Sequence, residues 1–207
     1  MTAILISVAV MVILVAVDLL SKLWIVSTFD VVGQLTKGYD YMEGLTRTLQ
    51  PIELIPGVLN FKLVVNDGAM MGFLDNARWL FMILSTVAII GILVFMFWKK
   101  PQNKVLLVAL TLVTAGGIGN MVDRTALGYV VDFIDFCAFP ELWKWTFNFA
   151  DSCVTVGAAM LALWMVIDFV KDIKAKKAAA AVALDAASDD SSENADATEV
   201  SGENDGE

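Results

Sequence analysis

The stretch Trp79–Trp98, WLFMILSTVAIIGILVFMFW, runs without a charge from Arg78 to Lys99. About 20 apolar residues is the length a helix needs to cross a hydrocarbon core. The pattern returns at once in Val105–Val122, VLLVALTLVTAGGIGNMV, after the short connection Lys99-Lys100-Pro101-Gln102-Asn103-Lys104. On the N-terminal side Met1–Val17 is uncharged and continues past Asp18 toward Val26, and on the C-terminal side Trp145–Ile167 is interrupted only by Asp151. A spanning segment must satisfy its own backbone hydrogen bonds, so each of the four is predicted to be a helix. A cleaved signal peptide is the alternative for the first stretch. It lacks a basic leading region and a small-residue cleavage site, so a retained helix is expected.

Composition agrees with lipid as the solvent. Of 207 residues, 58% are apolar and 18% charged, against roughly 45–50% and 25% in soluble domains. The formal charge of −9 comes from the end of the chain, because residues 178–207 carry nine acidic side chains and no Lys or Arg. The body, residues 1–177, is neutral, with 14 basic and 14 acidic residues. Without a basic patch, nucleic acid is not an expected partner. Residues 178–207 are Ala-rich, then acidic and polar, and are expected to be a disordered tail.

Positive charge sets the expected orientation. Three lysines lie in 99–104, and Lys171, Lys174, Lys176 and Lys177 follow the fourth span. The 53 residues from Val26 to Arg78 carry only Lys37, Arg47, Lys62 and Arg78. Both termini are therefore expected in the cytoplasm, with 26–78 and 123–144 outside. Within 26–78, Pro51–Gly57 and Leu59–Asn66 read as short strands of a small sheet at the outer surface. The predicted fold is mainly α and integral to the membrane, with four transmembrane helices in a 1–177 domain and this sheet between helices one and two.

A carboxylate at the centre of a spanning helix costs roughly 2.5–3.5 kcal/mol on insertion scales, so such residues need a partner or a purpose. Here they gather toward one face. Asp18 and Lys22 lie near the outer end of span one, and Asn66 precedes span two. Asn120, Asp123 and Arg124 close span three, Asp132 and Asp135 lie in the outer connection, and Asn148 and Asp151 open span four. Asp18 and Lys22, four apart, can pair on one helical face.

No histidine occurs, and the two cysteines, Cys137 and Cys153, need not be bridged. Ser–His and Cys–His nucleophiles and imidazole metal sites are excluded, and no metal or other cofactor is expected. A carboxylate pair is the remaining hydrolytic device: two close aspartates share one proton, so one serves as base and the other as acid. Asp132 in Val130-Val131-Asp132-Phe133 and Asp151 in Phe147-Asn148-Phe149-Ala150-Asp151 fit this requirement. Asp123 is the rival, although Arg124 beside it favours a structural ion pair.

Over about residues 10–168 the chain resembles the bacterial lipoprotein signal peptidases, a family of aspartic peptidases (signal peptidase II). Five segments carry the resemblance in order. They are Asp18-Leu19-Leu20-Ser21-Lys22, Asn66-Asp67-Gly68-Ala69, Gly116–Arg124, Gly128–Phe133 and Phe147–Ser152. The resemblance implies a catalytic dyad of Asp132 and Asp151. It implies that Asn66, Gly68, Asn120, Arg124 and Asn148 line or brace the substrate channel, that Asp123 holds Arg124, and that Asp18 and Lys22 support the site. The implied substrate is a diacylglyceryl-modified prolipoprotein, cut on the amino side of its lipidated cysteine. The implied setting is the bacterial plasma membrane, with a monomer working near the outer face of the bilayer. Asp67 and Met70-Met71 depart from the family pattern and bear on the channel rim. The contrasting reading is a small proton-coupled transporter, which would place its carboxylate near the midplane at a repeat interface. No internal repeat is visible. A membrane scaffold without activity would leave the clustered aspartates unexplained.

Overall fold

The computed structural model describes residues 1–68 and 78–199. Met70, Met71 and Ala69, singled out above, lie outside the described residues. The long apolar runs fold as helices: α1 (Thr2–Thr28), α3 (Arg78–Lys99), α4 (Lys104–Ala126) and α5 (Phe149–Glu199), with a short α2 (Tyr39–Thr46) between α1 and the first strand. Four helical segments are long and apolar enough to cross a membrane: Thr2–Thr28, Met82–Lys99, Lys104–Ala126 and Phe149–Ala180. The turn from α3 to α4 is set by Lys100, in the left-handed region at φ 47°, and by Asn103, whose side chain caps Leu106 N–H at 3.0 Å.

The chain divides into two compact units, Met1–Leu161 and Ala162–Glu207. Within the first, α1 and α3 both pack on α4. Glycine permits the approach of α5 to α4: a Cβ on Gly116 would strike the carbonyl of Ala150, and one on Gly157 would meet Ala109 O at 2.9 Å. In the second unit α5 continues as helix to Glu199, through residues 178–199 that the sequence reading leaves without structure. The alanines of 178–187 have the highest intrinsic helix propensity, and nothing in that stretch breaks the helix begun upstream.

The sheet is larger than the sequence suggests. β1 (Ile52–Ile55) and β2 (Leu59–Asn66) come from the long connection between α1 and α3, as expected. β3 (Val130–Phe136) and β4 (Thr146–Phe147) come from the connection before α5, giving an antiparallel order β1-β2-β3-β4. The register places Asn66 opposite Val130 and Val64 opposite Asp132. Side chains alternate along a strand. Leu63, Val65, Val131 and Phe133 therefore enter a core with Ile25, Val26, Val31, Met42 and Tyr129, while Asp132 faces the other way. Buried Tyr129 pins the start of β3 by donating to Leu35 O at 2.7 Å, and burial pushes its phenol up to about 12.

Candidate active site

Asp132 is presented by β3 and Asp151 by the first turn of α5, and one residue joins them. Asn148 Nδ2 donates to Asp132 Oδ1 at 2.7 Å, and the Asn148 backbone N–H donates to Asp151 Oδ2 at 3.2 Å. The polarity of the Asn148 amide is fixed, since its Oδ1 accepts Asp151 N–H at 2.8 Å. Asn148 thus caps α5 and bridges the two acids. The pairing expected from sequence is one of separate segments converging on a common point, and Asp132 and Asp151 do so.

Each remaining carboxylate oxygen also receives a donor. Asn66 Nδ2 lies 3.0 Å from Asp132 Oδ2, and Asn120 Nδ2 lies 2.7 Å from Asp151 Oδ1. Gly68, at φ 88°, turns its N–H back onto Asn66 Oδ1 at 2.9 Å, which leaves the Asn66 nitrogen facing Asp132. The turn at Gly68 therefore orients a ligand of the acid.

Asp132 is almost completely buried, at 1% exposure. Desolvation, followed by the charge of Asp151, pushes its carboxyl up to about 7, although the hydrogen bonds from Asn66 and Asn148 oppose the rise. Burial wins over two hydrogen bonds, so Asp132 retains a proton near neutrality. Asp151 is only partly buried and borders a groove of about 630 Å³ shared with Asn66, Ser152, Trp143, Trp145 and Phe147.

Behind the pair lies a buried ion cluster. Lys22 Nζ is 2.8 Å from Asp18 Oδ2 and 2.9 Å from Asp123 Oδ2, so the expected Asp18–Lys22 pair forms and a second acid joins it. Asp18 Oδ1 accepts Ala150 N–H at 2.9 Å, and Asp123 Oδ2 accepts Val131 N–H at 3.1 Å. These two acids grip the backbone immediately before Asp151 and Asp132, respectively. Asp123 does not hold Arg124, contrary to expectation. Neighbours on a helix point about 100° apart, and Asp123 turns toward α1 and β3 instead. The Arg124 Nε is buried without a hydrogen-bond partner among the described residues, and the carboxylates acting on the guanidinium are Asp151, then Asp132, then Asp123.

Trp143, Trp145 and Phe147 were not singled out from sequence. Their edge-to-face contacts, with ring centroids 5.8 Å and 6.0 Å apart around Trp143, build one wall of the groove. The density of aromatic residues in 139–147 was the available signal.

Known proteins share this architecture. Residues 10–167 match the family described as signal peptidase (SPase) II. The lipoprotein signal peptidase of Pseudomonas fluorescens (strain Pf0-1) is 40% identical over 152 residues, covering 70% of this chain and 87% of that protein. Its counterpart in Pseudomonas aeruginosa (strain PAO1) is 38% identical over 148 residues, covering 69% and 86%. A solved bacterial membrane enzyme superposes with a TM-score of 0.61 at 28% identity, covering 79% of this chain and 88% of that one. A family match over residues 10–167, with relatives at 38–40% identity, places this protein in the signal peptidase II family.

Proposed function

We propose that this chain is a membrane aspartic endopeptidase that removes signal peptides from diacylglyceryl-modified prolipoproteins, cutting on the amino side of the lipidated cysteine. The observation that carries the reading is the double attachment of Asn148 to Asp132 and Asp151, which holds two acids of unequal burial side by side. The names of the relatives supply the substrate class.

Unequal environments divide the roles. Asp132, with a carboxyl near 7, is the acid at rest. Asp151, facing the groove, is the base. Asp151 takes a proton from water as the water oxygen attacks the scissile carbonyl carbon, and Asp132 gives its proton to the carbonyl oxygen. Collapse of the tetrahedral adduct breaks the C–N bond. The proton held by Asp151 passes to the leaving amine, and the proton on the adduct oxygen returns to Asp132. General acid and general base contribute about 10²–10⁴-fold each in such reactions.

A lipidated substrate suits the groove, whose aromatic wall and apolar α5 residues Val154 and Val156 sit beside the polar pair. The lysines of 99–104 and 171–177 favour cytoplasmic termini, which puts the dyad toward the outer leaflet of the plasma membrane. The test is incubation of purified protein with diacylglyceryl-modified and unmodified precursor. Cleavage of the modified form alone is expected. Equal cleavage of both would remove the lipid requirement, and cleavage of neither would contradict the reading.

A further inference from the structure

Lys22 makes no hydrogen bond to either aspartate of the dyad among the described residues, although its charge opposes the rise at Asp132, and its third hydrogen bond reaches one of their ligands: Nζ donates to Asn120 Oδ1 at 3.2 Å. An asparagine amide can present either its oxygen or its nitrogen to a neighbour, and only its partners decide which. Lys22 is a donor without acceptor capacity, so Asn120 must turn its oxygen toward it. Asn148 Nδ2 adds a second donor to the same oxygen at 3.0 Å. The nitrogen is then directed at Asp151 Oδ1, 2.7 Å away. Asn148 alone is a weak lock, because its two amide hydrogens are shared among Asp132 Oδ1, Asn120 Oδ1 and Val131 O.

We infer that Lys22 is a positioning residue that locks the Asn120 amide with its nitrogen toward Asp151, and that this lock designates Asp151 as the ionised member of the pair. A flipped amide would set oxygen against carboxylate oxygen and favour protonation of Asp151. The base would be lost without any change of fold. The inference rests on the dyad proposed above. The charged groups around the pair are Lys22 and Asp18 from α1, Asp123 and Arg124 from α4, and Asp132 from β3. Asp18 and Asp123 hold the Lys22 ammonium in place, so the ion cluster behind the site has a consequence in front of it.

The test compares kcat, KM, the pH profile and thermal unfolding for the full-length protein, Lys22→Met/Asp123→Asn and Asn120→Asp. The double variant removes one charge of each sign, so the net charge of the cluster is unchanged although Asp18 loses its ion-pair partner. Asn120→Asp keeps the outline and the Lys22 contact but presents oxygen to Asp151, so it tests the donor face even where the double variant fails to fold. In each folded variant kcat falls at least about tenfold, KM stays within about twofold, and the acidic limb of the kcat profile moves up by about one pH unit. A folded variant whose acidic limb stays in place overturns the lock, whatever its kcat. Asp132→Asn and Asp151→Asn run alongside: should they retain activity, the dyad itself is wrong, a result separate from a failure of the lock.

Discussion

Asp18 accepts the backbone N–H of Ala150 at 2.9 Å, so a carboxylate from the first helix of the chain caps the first turn of the last. The first amides of a helix have no partner within it, and the helix dipole favours negative charge there. The contact ties the N-terminus of α5, one residue before Asp151, to α1 and through Lys22 to α4.

Asp18→Ala removes the cap and one of the two acids balancing buried Lys22. Breaking a buried ion pair from one side costs about 3–5 kcal/mol. The variant should unfold at a clearly lower temperature in detergent and lose activity in parallel. A thermal shift assay beside a processing assay checks this, and an unchanged unfolding temperature would contradict the bracing role.

Gly119 and Gly117 should respond differently to alanine. A Cβ on Gly119 would sit 2.5 Å from Asp18 Oδ2 and 3.2 Å from the Ala150 Cβ, within the packed ion cluster. Overpacking of that kind costs about 1–3 kcal/mol. On Gly117 the nearest atoms are the Ile89 side chain at 3.3 Å, which can move by a rotamer adjustment. Gly119→Ala is expected to lose stability and activity, Gly117→Ala little of either, as measured by unfolding temperature and turnover.

The pH dependence follows from Asp132, whose carboxyl stands at about 7. If its proton is needed for catalysis, kcat should fall as pH rises beyond about 7. Stability moves in the same direction. The folded state holds this proton while the unfolded chain releases it near the ordinary value of about 3.9. The stabilisation is therefore complete below about pH 4, declines as pH rises, and is gone above about 7. Unfolding temperatures measured from pH 4 to 8 should decline less in Asp132→Asn than in the parent. Equal slopes would count against a buried, protonated Asp132.

Much of this was legible before any coordinates. The four apolar runs specify the spanning helices because lipid leaves the backbone no other solution, and the polar residues Asp18, Asn120, Asp132 and Asp151 stand out against those apolar runs. Partner choice within the polar cluster was not legible. Adjacency suggested Asp123 with Arg124, whereas packing of α1 against α4 brings Asp123 to Lys22, 101 positions away in sequence. The segments β3 and β4 also stayed hidden as strands, since β4 is two residues long and pairs only through Ile134 and Asp135. Long-range contacts of this kind leave no periodic trace in a single chain.

The dyad is tested most directly by Asp132→Asn and Asp151→Asn, each expressed in cells producing a lipidated prolipoprotein and followed by the size of that protein on gels. Both variants should insert in the membrane at parental levels while uncut, lipidated precursor accumulates. Mature lipoprotein formed at the parental rate by either variant would contradict the assignment of these two acids as the catalytic pair.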